Sequence, residues 1–175
     1  MSDEERWIFG YGSLVWRPAF EHLEARPARV DGFARRFWQG SEDHRGVPGA
    51  PGRVVTLVPD PDAHVIGLGY RVSEAIWPTI VATLDHREKG GYAQHDVELR
   101  MAAGRRARAL VYVATRDNPN WLGPAPLAAM VAQIATSVGP SGRNDEYLLR
   151  LDEWLREQGA EDAHVRALAD RLRAR

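Results

Sequence analysis

Cysteine is missing from all 175 residues. That excludes a disulfide framework, a thiolate metal site and a cysteine nucleophile. Lysine is almost missing too: Lys89 is the single one, and every other basic side chain apart from histidine is arginine. A net charge of −1 offers no bulk attraction to nucleic acid or to an anionic membrane. No apolar run is long enough to span a bilayer. The opening residues, Met1-Ser2-Asp3-Glu4-Glu5, are acidic, unlike the basic start of a signal peptide. The expected address is therefore cytoplasmic. Glycine motifs are incomplete as well. Val15 stands where a dinucleotide-binding turn needs its third glycine and where a serine elbow needs its second, and no Gly-Lys-Ser/Thr ending supplies a phosphate loop. Ser13 is thus a poor candidate nucleophile. The histidines lack H-E-x-x-H or H-x-x-x-H spacing, so no metal site is expected, and His44 is read as a hydrogen-bonding loop residue.

What remains is ordinary for a globular chain, with 44% hydrophobic and 27% charged residues. The length suits one domain with its own core, and no long internal repeat interrupts it. The stretch Trp7-Ile8-Phe9-Gly10-Tyr11-Gly12-Ser13-Leu14-Val15-Trp16 organises the chain. Trp7 to Phe9 predicts a buried strand that breaks into a glycine-bearing turn. Amides on such a turn can face an anion or oxyanion, although two glycines in a tight turn need mean nothing more.

Further along, residues 17 to 27 read as irregular with one helical turn, and Ala28 to Trp38 as a strand kinked at Gly32. A long loop covers Gly40 to Gly52. Arg53 to Val58 is expected as a strand, Pro59 to Asp62 as a turn and His64 to Val72 as a returning strand. Trp77, Ile80, Val81 and Leu84 form one apolar helical stripe, starting from Ser73 or nearer Pro78, and Gly90-Gly91 ends it. Gln94 to Met101 and Ala107 to Thr115 predict two more strands. Helices follow over Leu127 to Val138, after a cap at Asn144, and around Val165 to Leu172. Strands early and helices from about residue 125 predict one α+β domain over 1–175, a small mixed β-barrel or strongly curved sheet with flanking helices.

Glu88 stands out among the acids. It lies at a helix C-terminus, where the macrodipole disfavours a carboxylate and raises its pKa, beside a glycine pair that admits a ligand. The residues alone leave open a solvated glutamate paired with Arg87 or Lys89. Tyr92, Arg143 and Tyr147 are candidate pocket residues.

Several blocks in order then carry a resemblance: Phe9-Gly10-Tyr11-Gly12-Ser13-Leu14, Arg36-Phe37-Trp38-Gln39-Gly40-Ser41, Asp43-His44-Arg45-Gly46 and Pro51-Gly52-Arg53-Val54-Val55-Thr56-Leu57. Arg87-Glu88-Lys89-Gly90-Gly91-Tyr92, Leu122-Gly123-Pro124-Ala125-Pro126 and Gly139-Pro140-Ser141-Gly142-Arg143-Asn144 continue it. The chain resembles the ChaC-type γ-glutamylcyclotransferases, above all the glutathione-specific ones. The likeness fades over 73–86, after Met101 and beyond about residue 156. It implies a small mixed barrel, cleavage of glutathione to 5-oxoproline and cysteinylglycine, and no metal or organic cofactor. It also implies that Gly10, Tyr11, Gly12, Ser13, Leu14 and Val15 hold the γ-glutamyl group and that Glu88 is the catalytic base. The implied partner is a small-molecule substrate, with no nucleic acid or membrane, and the oligomeric state is left open. Two rival readings are the same chemistry on other γ-glutamyl peptides or amines, and a γ-glutamyl binder without catalysis.

Overall fold

Apolar aromatic residues at the start of the chain form a strand because pleated, covered positions suit them. In the computed structural model, which describes residues 5–175, β1 (Arg6–Gly10) is buried from Trp7 onward. The acidic residues before Glu5 lie outside the described part. β1 joins β2 (Glu24–Ser41), β3 (Gly52–Val72), β4 (Tyr92–Arg100) and β5 (Arg106–Ala114) in a closed barrel of order β1-β3-β2-β4-β5. Most pairings are antiparallel; β1 and β5 meet in parallel at Ile8 and Leu110, which closes the ring. The expected α+β barrel with flanking helices is therefore the observed fold.

Its central ladder differs from expectation. The Pro59–Asp62 segment does not reverse the chain. β3 runs on antiparallel to β2 across it, with Phe33 opposite Pro59 and then Asp31 opposite His64. The turn-forming residues bulge out opposite Gly32, whose φ of +87° marks the expected kink. Asp60 supports the bulge by accepting from the Asp62 amide at 3.0 Å, the local bond that makes Asp a turn residue. β2 also begins earlier than expected, at Glu24. The helical turn anticipated in 17–27 lies instead at Ser13–Val15, a short 3-10 turn.

The helices wrap the barrel. α1 (Trp77–Arg87) has Pro78 in its first turn, where a missing N–H costs nothing, and Glu88 is its C-cap. Its Ile80 and Leu84 cover Ile8, Val72 and Leu110 of the sheet. α2 (Leu127–Thr136) is shorter than expected, because Val138–Gly139 (β6) pairs with Gly142–Arg143 (β7) in a tight hairpin. α3 (Asn144–Glu157) and α4 (Ala163–Arg173) bury Leu148, Leu151, Val165 and Leu168 against the main core. Among the described residues no helix is long and apolar enough to cross a membrane.

Asn144 is not the helix cap expected of it. Its side chain is fully buried, accepts from the Arg53 amide at 2.8 Å and donates to the Arg53 carbonyl at 2.8 Å. It thus pairs with β3 as a neighbouring strand would and fixes the start of α3 against the barrel. Asp145 and Glu146 supply the negative charge in the first helical turn.

Candidate active site

The glycine-bearing stretch leaves β1 at one end of the barrel and turns sharply. Val15 N donates to Gly12 O at 3.1 Å, and Arg17 N to Ser13 O at 2.8 Å. Among the described residues the amides of Gly12, Ser13 and Leu14 donate to no protein acceptor. These residues, with Tyr11, line a cavity; Gly10 and Val15 do not, and Val15 is buried in the core. A side chain at residue 12 has no room: a Cβ there would lie 2.7 Å from the Tyr147 hydroxyl and 2.9 Å from Val55 Cγ2.

Glu88 enters the same cavity from the end of α1. Its amide still closes the helix on Leu84 O at 2.8 Å. The next turn is clamped by an amide pair, the buried Gln39 and the half-buried Asn118. Asn118 Nδ2 donates to Gln39 Oε1 at 3.0 Å, Gln39 Nε2 donates to Asn118 Oδ1 at 3.1 Å, and the Gly90 carbonyl accepts from Gln39 and Asn120. Gly91 sits at φ +127° with Asn118 against it, so no side chain fits there. The double glycine is thus explained by this clamp as well as by ligand access.

Burial pushes the Glu88 carboxyl above its ordinary range, and Asp43 adds to the rise; Arg87 and His44 oppose it. Burial, more than the helix end invoked from sequence, is the main cause. Among the described residues no hydrogen-bond donor meets this carboxylate. Its ion pair is with Arg87, whose Nε lies 3.9 Å from Oε1. The two readings of Glu88 merge here, since it is paired with Arg87 and also sits in a cleft. Arg87 in turn donates from Nη2 to Ser13 Oγ at 2.7 Å. One guanidinium therefore bridges the carboxylate and the glycine turn. Ser13 Oγ is engaged by a cation, which further weakens it as a nucleophile.

Tyr92 and Tyr147 line the cavity as expected. Tyr92 donates its hydroxyl to the Val55 carbonyl at 2.8 Å, while the Tyr147 hydroxyl accepts from the Val55 amide at 3.2 Å. Burial pushes the Tyr147 phenol up to about 12 and the Tyr92 phenol well above its usual value, so both stay neutral. Arg143 does not belong to the pocket. Its guanidinium turns outward onto Asp145, two-thirds exposed, and only its carbonyl faces inward, accepting from Arg45 at 2.9 Å.

Sequence reasoning gave no site role to Asp43, His44, Arg45 or Ser141, which also line the cavity. His44 Nδ1 lies 3.1 Å from Ser141 Oγ, and Nε2 lies 3.4 Å from the Arg87 carbonyl. His44 therefore links the β2–β3 loop, the β6–β7 hairpin and the end of α1. The length and charge of that loop are the sequence signal for Asp43, His44 and Arg45; Ser141, in the hairpin, has no such signal. His86 and His95 are exposed elsewhere, and among the described residues no cluster of His, Cys, Asp or Glu gathers to hold a metal.

The model of the ChaC-like protein family matches residues 6–175. The chain is similar to human glutathione-specific gamma-glutamylcyclotransferase 1, with 45% identity over 170 residues spanning 94% of this chain and 77% of the human protein. It is similar to the Saccharomyces cerevisiae glutathione-specific gamma-glutamylcyclotransferase, at 34% identity across 85% of this chain and 84% of the yeast protein. A crystal structure of a yeast gamma-glutamylcyclotransferase specific to glutathione superposes with a TM-score of 0.91 at 31% identity, covering 98% of this chain and 97% of that one. With the family model matching residues 6–175 and relatives at 34% and 45% identity along most of the chain, this chain belongs to the ChaC-like family.

Proposed function

We propose that this protein is a glutathione-specific γ-glutamylcyclotransferase that releases 5-oxoproline and cysteinylglycine. The observation that carries the reading is the meeting, in one cavity, of a half-buried carboxylate that accepts no hydrogen bond among the described residues and a turn of unpaired amides, the two bridged by Arg87. The family relatives are named for this activity.

The reaction needs little from the protein, because a γ-glutamyl group carries both reactants. Its α-amine is the nucleophile and its γ-amide carbonyl the electrophile. The cavity holds them together, which replaces a chance encounter by proximity. An α-ammonium cannot attack, so it must first lose a proton. Glu88 accepts that proton; its raised pKa brings it nearer to a useful base at neutral pH. The amine nitrogen then bonds to the γ-carbon, and the carbonyl π electrons move onto oxygen. The amides of Gly12, Ser13 and Leu14 are the donors for that oxyanion or for the substrate's α-carboxylate. Collapse of the intermediate breaks the bond to the cysteine nitrogen, which takes the proton back from Glu88; the ring nitrogen, which became cationic on bonding, then gives its second proton to the freed carboxylate or the departing amine, leaving neutral 5-oxoproline. The neutral tyrosines keep the walls from competing for protons.

A panel of substrates tests the reading, with 5-oxoproline measured by chromatography. Glutathione is expected to be turned over with equal release of 5-oxoproline and cysteinylglycine, and γ-glutamylamines are expected to react poorly. Equal rates across the panel would point to the broader cyclotransferase, and glutathione binding without any 5-oxoproline to a binder.

A further inference from the structure

Glutathione carries a second carboxylate, on its glycine, far from the reacting centre. The amides and Glu88 deal with the γ-glutamyl end and leave that charge unanswered. Three arginines line the cavity, Arg17, Arg45 and Arg87. Arg87 is committed to Ser13 and Glu88. Arg45 is 6% exposed, donates to the Arg143 carbonyl, lies 3.9 Å from Glu146 Oε2 and sits 5.6 Å over the Tyr147 ring. Arg17 is exposed, and among the described residues its guanidinium makes no hydrogen bond or ion pair.

Its backbone is anchored all the same. The Arg17 amide closes on Ser13 O, so the side chain is carried by the same short turn that presents the free amides. The cavity is also polarised. Asp43 and Glu88 act on each other beside His44 and Arg87, while Arg17 and Arg45 oppose each other through their like charges. Glu146 lies against Arg45 and, among the described residues, no carboxylate pairs with Arg17, so Arg17 is the cation left to meet an anion, while the carboxylates of Asp43 and Glu88 suit an ammonium. A γ-glutamyl peptide seated with its amine at Glu88 can extend its far end outward to the lip. We infer that Arg17 is a specificity residue, pairing with the C-terminal carboxylate of the peptide substrate and so separating glutathione from γ-glutamyl compounds that lack it.

The inference rests on the cyclotransferase reading, so it is tested by binding, without turnover. Glu88→Gln protein is titrated calorimetrically with glutathione and with glutathione whose glycine carboxylate is a carboxamide. A charge-assisted contact predicts binding of the acid tighter than the amide by about 10- to 100-fold. Adding Arg17→Gln is expected to remove most of that preference, and Arg17→Lys to keep part of it. Melting curves confirm that these surface variants stay folded. A preference that persists in Arg17→Gln, or that is absent with Arg17 in place, overturns the inference; where Glu88→Gln binds neither compound, the same comparison is read as kcat/KM in the wild-type background. Wild-type protein is assayed for 5-oxoproline in parallel. An intact Arg17-dependent preference with no 5-oxoproline formed rejects the cyclotransferase reading and leaves the binding role of Arg17 standing.

Discussion

Replacing Glu88 with glutamine is expected to lower kcat by about 10²- to 10⁴-fold, the range typical for loss of a positioned base. The amide has the carboxylate's shape but cannot take the ammonium proton. The backbone of residue 88 is held independently of the side chain, its N–H on Leu84 O and its carbonyl accepting from Tyr92 N, so the helix end should be unaffected. Stability makes the result more specific. Burial raises the Glu88 pKa in the folded state above its unfolded value. Such a group favours folding below the unfolded pKa and loses that contribution as pH rises through the folded one. At neutral pH the ionised carboxylate therefore disfavours the fold, and the neutral amide removes that penalty. The variant should melt at the same temperature or higher while losing activity, and the acid limb of the wild-type pH–rate profile should vanish with the base. Normal kcat with an unchanged melting curve would place the base elsewhere.

Replacing Gly12 with valine is expected to reduce kcat/KM by roughly 10²- to 10³-fold, the cost of disturbing an oxyanion donor. The new Cβ would press on the Tyr147 hydroxyl and Val55. Tyr147 cannot yield freely, because its hydroxyl accepts from the Val55 amide and its ring meets Trp16 and Phe37 edge to face. The turn must therefore move and carry its amides with it. Overpacking of this kind costs about 1–3 kcal/mol, so melting curves belong beside the kinetics, and Gly12→Ala provides a milder step in the same direction. A folded Gly12→Val protein with wild-type kinetics would show that the turn has only a structural part.

The local code accounts for much of this architecture. Trp7 to Phe9 announces a buried strand, Pro78 and the Gly90-Gly91 pair bracket α1, and the apolar spacing of Leu148, Leu151 and Leu155 marks α3. What was missed depends on partners distant in sequence. Pro59 to Asp62 carries a turn signal whether the chain reverses or bulges, and only the continuous pairing with β2 decides it. Asn144 has the composition of a cap, but Arg53, far away in the chain, takes both of its amide groups. Arg143 stands in a motif-rich stretch yet meets Asp145 two residues on. Arg87 was considered only as a partner for Glu88, because its second contact, Ser13, is 74 residues away. The helix end singles Glu88 out, whereas burial is the largest cause of its raised pKa, and that burial is not visible from the helix alone.

The central claim is that the substrate's own amine, and not water or an enzyme nucleophile, attacks the γ-carbonyl. It is tested most directly by turning over glutathione in ¹⁸O-labelled water and weighing the product by mass spectrometry from the first turnover. Intramolecular attack predicts 5-oxoproline without label and no free glutamate. Glutamate appearing first, or label in 5-oxoproline formed on the enzyme, would mean that water had attacked the amide and would contradict the account.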